Sequence, residues 1–263
     1  MTSNRREFLK FAGASALTLL VPAILPPVRA AGNPSAPVAA ARQASSPLRP
    51  LTAGRWALAV DLSKCSADCT DCIAACHQAH NVPEIGNPKD EVKWIWREPF
   101  PAVFPGETHA WSGESLRRMR PPVLCNHCAN PPCVRVCPTG ATFQRPDGIV
   151  VMDYHRCIGC KICLAACPYG ARSINFRDPR PFVQKLNPDY PTRTKGVIEK
   201  CNFCEERLAR GLKPACVEAC RRKALVFGDV EDPRSEIRLL LEKRVALRRR
   251  ANLGTLPQVY YLL

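Results

Sequence analysis

The hydrophobic positions of this chain fall into short runs separated by polar, proline-containing stretches. Three apolar runs bounded by polar or turn residues predict β-strands at residues 56–61, 149–153 and 225–228. Further along, Asp232 and Pro233, followed by the apolar and charged segment 236–242, predict an N-cap, a first-turn proline and an amphipathic helix. Short strands combined with small helices favour the α+β fold class.

The first thirty residues have the pattern of an export signal. Arg5 and Arg6 precede an apolar run at residues 11–25, and the Val28-Arg29-Ala30 triplet supplies a small-residue cleavage site. The run has about 15 residues, short of the roughly 20 that span a bilayer, which favours a cleaved signal over a retained anchor. We therefore predict a twin-arginine signal peptide over residues 1–30 and export to the periplasm. An Ala-, Pro- and Ser-rich flexible linker is predicted over residues 31–53.

The cysteine content narrows the choice of function. The 263-residue chain has 16 cysteines, 26 prolines and few aromatic residues, so the folded part needs support besides an apolar core. Disulfides, structural zinc or iron-sulfur clusters could each account for so many cysteines. The formal net charge is +15, but no basic stretch is interleaved with aromatic residues in the way that stacks bases. No nucleic acid partner is predicted.

The spacing of the cysteines separates these possibilities. They form four groups with none left over: Cys65, Cys69, Cys72 and Cys76; Cys125, Cys128, Cys133 and Cys137; Cys157, Cys160, Cys163 and Cys167; and Cys201, Cys204, Cys216 and Cys220. The third group has the C-x2-C-x2-C-x3-C-P spacing of bacterial ferredoxins, whose thiolates bind the iron of 4Fe-4S clusters. Zinc prefers well-separated C-x2-C pairs and gains nothing from three cysteines on one tight loop. We predict that all sixteen cysteines bind the iron of 4Fe-4S clusters.

Repetition along the chain strengthens this interpretation. Residues 125–128 resemble residues 201–204, and residues 72–76 resemble residues 163–167. The pattern predicts an internal duplication that produces two ferredoxin-like modules, with short strands and helices between cluster-binding loops. The first group departs from the rule, because three residues instead of two separate its first two cysteines. Of the four clusters expected, the one nucleated by this group is the least secure.

With these four groups, the chain resembles the four-cluster ferredoxin family. That family includes the electron-transfer subunits of dimethylsulfoxide reductase, polysulfide reductase, membrane formate dehydrogenase and formate-dependent nitrite reductase. The resemblance covers about residues 55–230. The C-x3-C opening, the export signal and the stretches 77–83 and 93–96 are similar, more narrowly, to the periplasmic iron-sulfur subunits of Dsr-type sulfur-metabolism membrane complexes.

The resemblance implies an electron-transfer subunit without a catalytic site of its own. Its partners would be a quinone-interacting integral membrane subunit and a periplasmic multihaem cytochrome subunit, with peripheral attachment to the inner membrane through them. The alternative within the same chemistry is the iron-sulfur subunit of a molybdopterin oxidoreductase, a nitrite reductase or a hydrogenase. A more remote alternative is a zinc-stabilised interaction protein.

The resemblance also implies that the last cysteine of each group serves a cluster nucleated by another group. Cys65, Cys69 and Cys72 would share a cluster with Cys220, and Cys201, Cys204 and Cys216 would share one with Cys76. The remaining two clusters would be held by Cys125, Cys128, Cys133 and Cys167, and by Cys157, Cys160, Cys163 and Cys137.

The sequence divides after the leader and linker into two parts. Residues 54–231 are expected to form the four-cluster ferredoxin-like domain, and residues 232–263 an amphipathic helix and a docking tail. A basic helix is expected at residues 238–250, and the apolar tail 255–263 has two interpretations. It covers part of the protein's own core, or it anchors in a membrane subunit.

Overall fold

The computed structural model describes residues 49–263, so the predicted signal peptide and most of the predicted linker lie outside the described residues. The main sheet has four strands in the order β8-β1-β10-β9. These are β1 (Trp56–Asp61), β8 (Leu225–Asp229), β9 (Ala246–Leu247) and β10 (Val259–Leu262). Strand β1 pairs antiparallel with β8 and parallel with β10, and Leu58 lies opposite both Phe227 and Val259.

Strand β1 is buried on both faces because the sheet is covered on both sides. Successive side chains of a strand point to opposite faces. Leu58 and Val60 therefore pack into the main core, whereas Ala57 and Ala59 pack with Ile237 on the other face. That second face is covered by the helix α8 (Glu236–Lys243). The small alanine side chains leave room for this helix to approach the sheet.

The rest of the described chain forms three two-stranded ribbons and short helices. The ribbons pair β2 (Ile95–Arg97) with β3 (Pro122–Leu124), β4 (Thr142–Gln144) with β5 (Val150–Met152), and β6 (Ser173–Ile174) with β7 (Ile198–Glu199). The remaining helices are α1 (Asp71–His80), α2 (Phe100–Val103), α3 (Glu114–Arg118), α4 (Pro132–Arg135), α5 (Ile162–Ala166), α6 (Glu205–Leu208) and α7 (Ala215–Glu218). Short 3₁₀ turns occupy Pro105–Glu107, Arg180–Phe182 and Ala251–Leu253. None of the helices formed by residues 49–263 combines the length and apolarity that crossing a membrane requires.

The largest hydrophobic core contains sulfur as well as carbon. Aromatic residues such as Trp94, Phe100 and Tyr261 are almost fully buried there, together with Cys72 and Cys76. Buried cysteine behaves as a small hydrophobic residue, so these thiols add to the apolar interior. The core of this protein is therefore built around its cysteine groups.

Several local predictions can be compared with the structure. The α+β class and the three predicted strands are confirmed, with β5 one residue shorter at each end than expected. The predicted helix at residues 236–242 is also present, but its N-cap is Ser235, whose hydroxyl accepts a hydrogen bond from the Arg238 amide at 3.3 Å. The N-cap prediction at Asp232 was therefore wrong. The internal duplication stays a prediction.

The C-terminal segment differs most from expectation. The basic helix predicted to reach residue 250 ends at Lys243, and the chain continues into β9 and a 3₁₀ turn. The tail then forms β10, in which Val259, Tyr261 and Leu262 are fully buried in the central sheet. Buried side chains cannot insert into another subunit, so the docking interpretation of the tail is corrected: the tail belongs to the protein's own core.

Candidate iron-sulfur cluster sites

All sixteen cysteines lie in the described part of the chain, and none of them is in a disulfide there. The fold arranges them as four sets, each combining three cysteines of one group with the last cysteine of another. We name them set A (Cys65, Cys69, Cys72, Cys220), set B (Cys76, Cys201, Cys204, Cys216), set C (Cys125, Cys128, Cys133, Cys167) and set D (Cys137, Cys157, Cys160, Cys163).

Sets A and D each line a cavity that opens to the surface. The four cysteines of set A surround one cavity together with Arg97, Pro122 and Leu225. The four cysteines of set D surround another, together with Gly159, Met152 and Ile198. In both cavities the fourth cysteine comes from a loop distant in sequence, as the family resemblance implied.

Sets B and C lie deeper in the molecule. All four cysteines of set B are buried, and burial together with the neighbouring thiols of Cys201, Cys204 and Cys216 raises the pKa of Cys76 well above its ordinary value. In set C, burial and the nearby thiols of Cys125, Cys133 and Cys167 raise the pKa of Cys128 to about 12. Within each set the thiols therefore lie close enough to oppose one another's ionisation.

The four sets follow one another through the protein. Cys72 of set A and Cys76 of set B lie one helical turn apart on α1, about 6 Å along its axis. After burial, the neighbouring Cys125 of set C contributes to raising the pKa of Cys201 in set B, and the neighbouring Cys133 of set C contributes to raising the pKa of Cys163 in set D. The order of the sets is therefore A, B, C, D.

Local backbone geometry shapes the cysteine loops. Gly159, between Cys157 and Cys160, has φ +68°, and a Cβ there would lie 2.4 Å from the carbonyl oxygen of Gly196. Only glycine fits this close approach of two loops. Backbone amides also point at sulfur: the Phe203 amide donates to Cys201 Sγ at 3.4 Å and the Ala224 amide to Cys220 Sγ at 3.2 Å.

The donor chemistry fits metal clusters. Burial raises the pKa of Cys72 to about 11 and that of Cys201 to about 12, so bare thiols in these places would stay protonated and would not act as ligands. A bound metal deprotonates a coordinating thiol outright, and four converging thiolates satisfy the ligand requirement of a 4Fe-4S cluster. The described residues around the four sets therefore fit this cofactor.

Positive side chains lie beside several of these thiols. Arg97 donates to the Cys69 carbonyl oxygen and to the Arg120 carbonyl oxygen at 2.6 Å, and its Nη2 lies 3.9 Å from Cys65 Sγ. Arg97 thus holds the C-x3-C loop, whose extra residue is accommodated while Cys65, Cys69 and Cys72 still face Cys220. Lys200 is buried and donates to the Cys201 carbonyl oxygen at 2.7 Å. Neither cation was predicted as part of a site, although Lys200 directly precedes a predicted ligand.

Histidines contribute to the surroundings of the sets. His127 is fully buried, accepts a hydrogen bond from the Val150 amide at 3.1 Å and stacks on Phe203. Burial and the charges of Lys200 and Arg172 lower its pKa well below the ordinary value, so it is neutral. His155, in contrast, is exposed, and its backbone amide donates to the Asp153 carboxylate at 2.9 Å.

His80 was given no role by sequence analysis, yet it lies beside set B. Its Nδ1 is 2.9 Å from the Cys76 carbonyl oxygen and 3.7 Å from Cys76 Sγ, and its Nε2 is 3.0 Å from a Glu206 carboxylate oxygen. His80, Cys204 and Glu206 offer ligand atoms within 4.8 Å of one another. Because Cys204 belongs to set B, this group adjoins a cluster site and is not a separate metal centre. The position of His80 one turn after Cys76 was the available signal.

Comparison with known proteins agrees with this chemistry. The profile of the 4Fe-4S dicluster domain matches residues 118–180 and 184–230. The chain is 41% identical to the Hdr-like menaquinol oxidoreductase iron-sulfur subunit 1 of Archaeoglobus fulgidus, over 98% of this chain and 97% of that protein. It is 37% identical to a tetrathionate reductase subunit of Salmonella typhimurium, over 100% of this chain and 89% of that protein.

A third relative is the menaquinone reductase iron-sulfur cluster-binding subunit of Nitratidesulfovibrio vulgaris, 34% identical over 79% of this chain and 88% of that protein. The chain therefore belongs to the 4Fe-4S ferredoxin-type family of electron-transfer subunits. Its cofactors are 4Fe-4S clusters.

Proposed function

We propose that this chain relays electrons through four 4Fe-4S clusters, one held by each of the sets A to D. The observation that carries this proposal is the convergence of the sixteen cysteines into four sets of four in a continuous order. Bound clusters supply one-electron redox chemistry. The chain's own part is to hold them in sequence, to keep water from sets B and C, and to bring sets A and D to the surface, where partners can approach.

Iron and spin measurements test this proposal. The purified chain should contain about sixteen irons, four for each cluster, and a brown colour with broad visible absorption. Reductive titration followed by electron paramagnetic resonance should resolve four one-electron centres. A colourless protein that contains zinc would contradict the proposal, and about twelve irons would indicate that set A, with its C-x3-C loop, holds no cluster.

We further propose that the chain belongs to a Dsr-type membrane complex, as a subunit of the DsrO type. Support comes from the relative that matches nearly the whole chain and is named as a subunit of a menaquinol oxidoreductase. In this proposal the chain is exported by the twin-arginine pathway to the periplasm. It attaches peripherally to the inner membrane and exchanges electrons with a quinone-interacting membrane subunit and a multihaem cytochrome.

Purification from detergent-solubilised membranes tests the proposed partners. Haem-stained bands that copurify with the chain are expected, together with an integral membrane subunit. The second candidate is a molybdopterin reductase, which the whole-length likeness to the tetrathionate reductase subunit favours. A large pterin-containing partner without haem would support this second candidate and contradict the first.

Export has a separate test. Replacing Arg5 and Arg6 together with lysine should keep the protein in the cytoplasm with its clusters assembled, because the predicted signal depends on the arginine pair. An unchanged periplasmic yield would contradict the twin-arginine assignment. The matched control replaces Arg49 with lysine, beyond the predicted signal, and should leave export unchanged.

A further inference from the structure

Arg172 is a buried cation without a carboxylate partner among residues 49–263. Only 5% of its surface is exposed. Its Nη2 donates to the Thr142 hydroxyl at 3.0 Å and its Nη1 lies 3.7 Å from the Met152 sulfur. Another buried arginine, Arg193, is compensated in the usual way, with its guanidinium 2.6 Å from the Glu199 carboxylate. The positive charge of Arg172 therefore needs a different source of compensation.

The neighbours of Arg172 identify that source. Met152, whose sulfur lies 3.7 Å from the guanidinium, lines the cavity of set D. Met152 also packs against the buried cluster that contains both Cys133 and Cys163. Burial by itself would lower the pKa of Arg172, but the thiols of Cys133 and Cys163 more than offset it and raise the pKa. Cys133 belongs to set C and Cys163 to set D. The guanidinium thus lies between two successive cysteine sets and beside a member of each.

Simple electrostatics explains why a cation would be kept there. A guanidinium stays protonated under all ordinary conditions, and a buried charge is costly unless an opposite charge compensates it. Four thiolates around an iron-sulfur cluster provide negative charge, which grows by one unit when the cluster accepts an electron. Reduction potentials of such clusters respond to local charge, hydrogen bonds and burial.

We propose that Arg172 is an electrostatic positioning residue shared by two clusters, which raises the reduction potentials of those held by sets C and D. This inference rests on the proposed function, because it assumes a cluster in each set. Arg172 transfers no electron itself. Its charge stabilises the reduced form of either cluster, and so makes electron entry at the C–D end of the relay more favourable.

The test is a redox titration of the purified full-length chain, followed by electron paramagnetic resonance. In Arg172→Gln, two of the four midpoint potentials should fall by at least about 59 mV, the equivalent of a tenfold change in a one-electron equilibrium. Arg172→Lys keeps the positive charge and should hold both potentials within that interval of the native values. Unchanged potentials in Arg172→Gln, or a fall confined to one cluster, would overturn the proposal.

The control variant removes an exposed positive charge that lies beside set D. Arg156 directly precedes Cys157, and its side chain is 67% exposed. Water screens this charge, so Arg156→Gln should shift the potentials less than Arg172→Gln does. Equal shifts in the two variants would show that burial between the sets has no special effect, and would overturn the proposal.

Assembly is measured separately, as iron per chain. A native chain with far fewer than about sixteen irons would count against the proposed function, not against the role of Arg172. If Arg172→Gln does not take up iron, Arg172→Lys decides. If the midpoint potentials of the two clusters in Arg172→Lys stay near the native values, the charge role is supported. A shift of either potential by about 59 mV or more overturns it.

Discussion

Sets B and D contain the same ligands in opposite surroundings. The four cysteines of set B are all buried, whereas in set D Cys160 is exposed and Cys137 and Cys157 are half-buried. The loop of set D also presents apolar side chains to solvent, with Ile158 67% exposed and Ile162 47% exposed. Four cysteines can therefore converge in quite different surroundings: set B is part of the hydrophobic core, and set D lies at the surface.

The largest expected difference follows from removing one ligand in each set. Cys216→Ser should abolish the folded, iron-loaded protein, because cluster binding energy at a buried site counts as folding energy. Cys160→Ser should lose only the cluster of set D and keep about twelve irons and a cooperative thermal transition. Iron analysis and far-ultraviolet circular dichroism measure both outcomes. Similar losses of iron and of secondary structure in the two variants would contradict this difference between sets B and D.

A truncation tests whether the C-terminal strand supports the same core. Deletion of residues 255–263 removes β10, the parallel neighbour of β1 in the central sheet, and with it the buried Val259, Tyr261 and Leu262. We expect no soluble, iron-loaded protein. Deleting Leu263 alone, which is half-exposed, should have little effect on yield or spectrum. A truncated chain with normal visible absorption would contradict the assignment of the tail to the fold.

Oxidative damage should distinguish the sets by their access to solvent. On exposure of the purified chain to air, the electron paramagnetic resonance signals of the surface sets D and A should decline before those of sets B and C. The reason is that oxidation of sulfur ligands follows exposure. The time courses of iron release and of the individual signals measure this order. Simultaneous loss of all signals would mean that burial does not protect the inner clusters.

The smallest expected effect concerns Asp61, which precedes the first cysteine loop and accepts a hydrogen bond from Arg244 in the C-terminal segment. Burial alone would raise the pKa of Asp61, but hydrogen bonds from Ser63 and Arg244 lower it to about 2. Since this is below the ordinary value of about 3.9, the ionised carboxylate stabilises the fold above that value, and the contribution is lost as pH falls towards about 2.

Asp61→Asn should therefore reduce the free energy of unfolding by about 2 kcal/mol at pH 7. The difference in melting temperature between the variant and the native chain should be the same at pH 5 as at pH 7. A difference in melting temperature that is smaller at pH 5 than at pH 7 would contradict the assigned pKa. Asp68→Asn, a change at an exposed aspartate in the same loop, is the matched control and should leave the melting temperature unchanged.

Much of the local structure could be predicted because it depends on neighbouring residues. The strand at residues 56–61 follows from a continuous apolar run, and the third cysteine group has a spacing specific to iron-sulfur ligands. The C-terminal helix was predicted in place but too long. Its end is imposed by Arg244, which is extended at φ −129° and donates at 2.5 Å to Asp61, a residue 183 positions earlier. No local pattern carries that information.

The sequence by itself determined the candidate ligands, the class of cofactor and the family, because coordination chemistry depends on residue type and short spacing. Only the tertiary structure decided which thiols are buried and that residues 259–262 complete the central sheet. It also decided that Arg172 lies between two sets. These properties depend on contacts between distant parts of the chain, and such contacts form only when the whole core packs together.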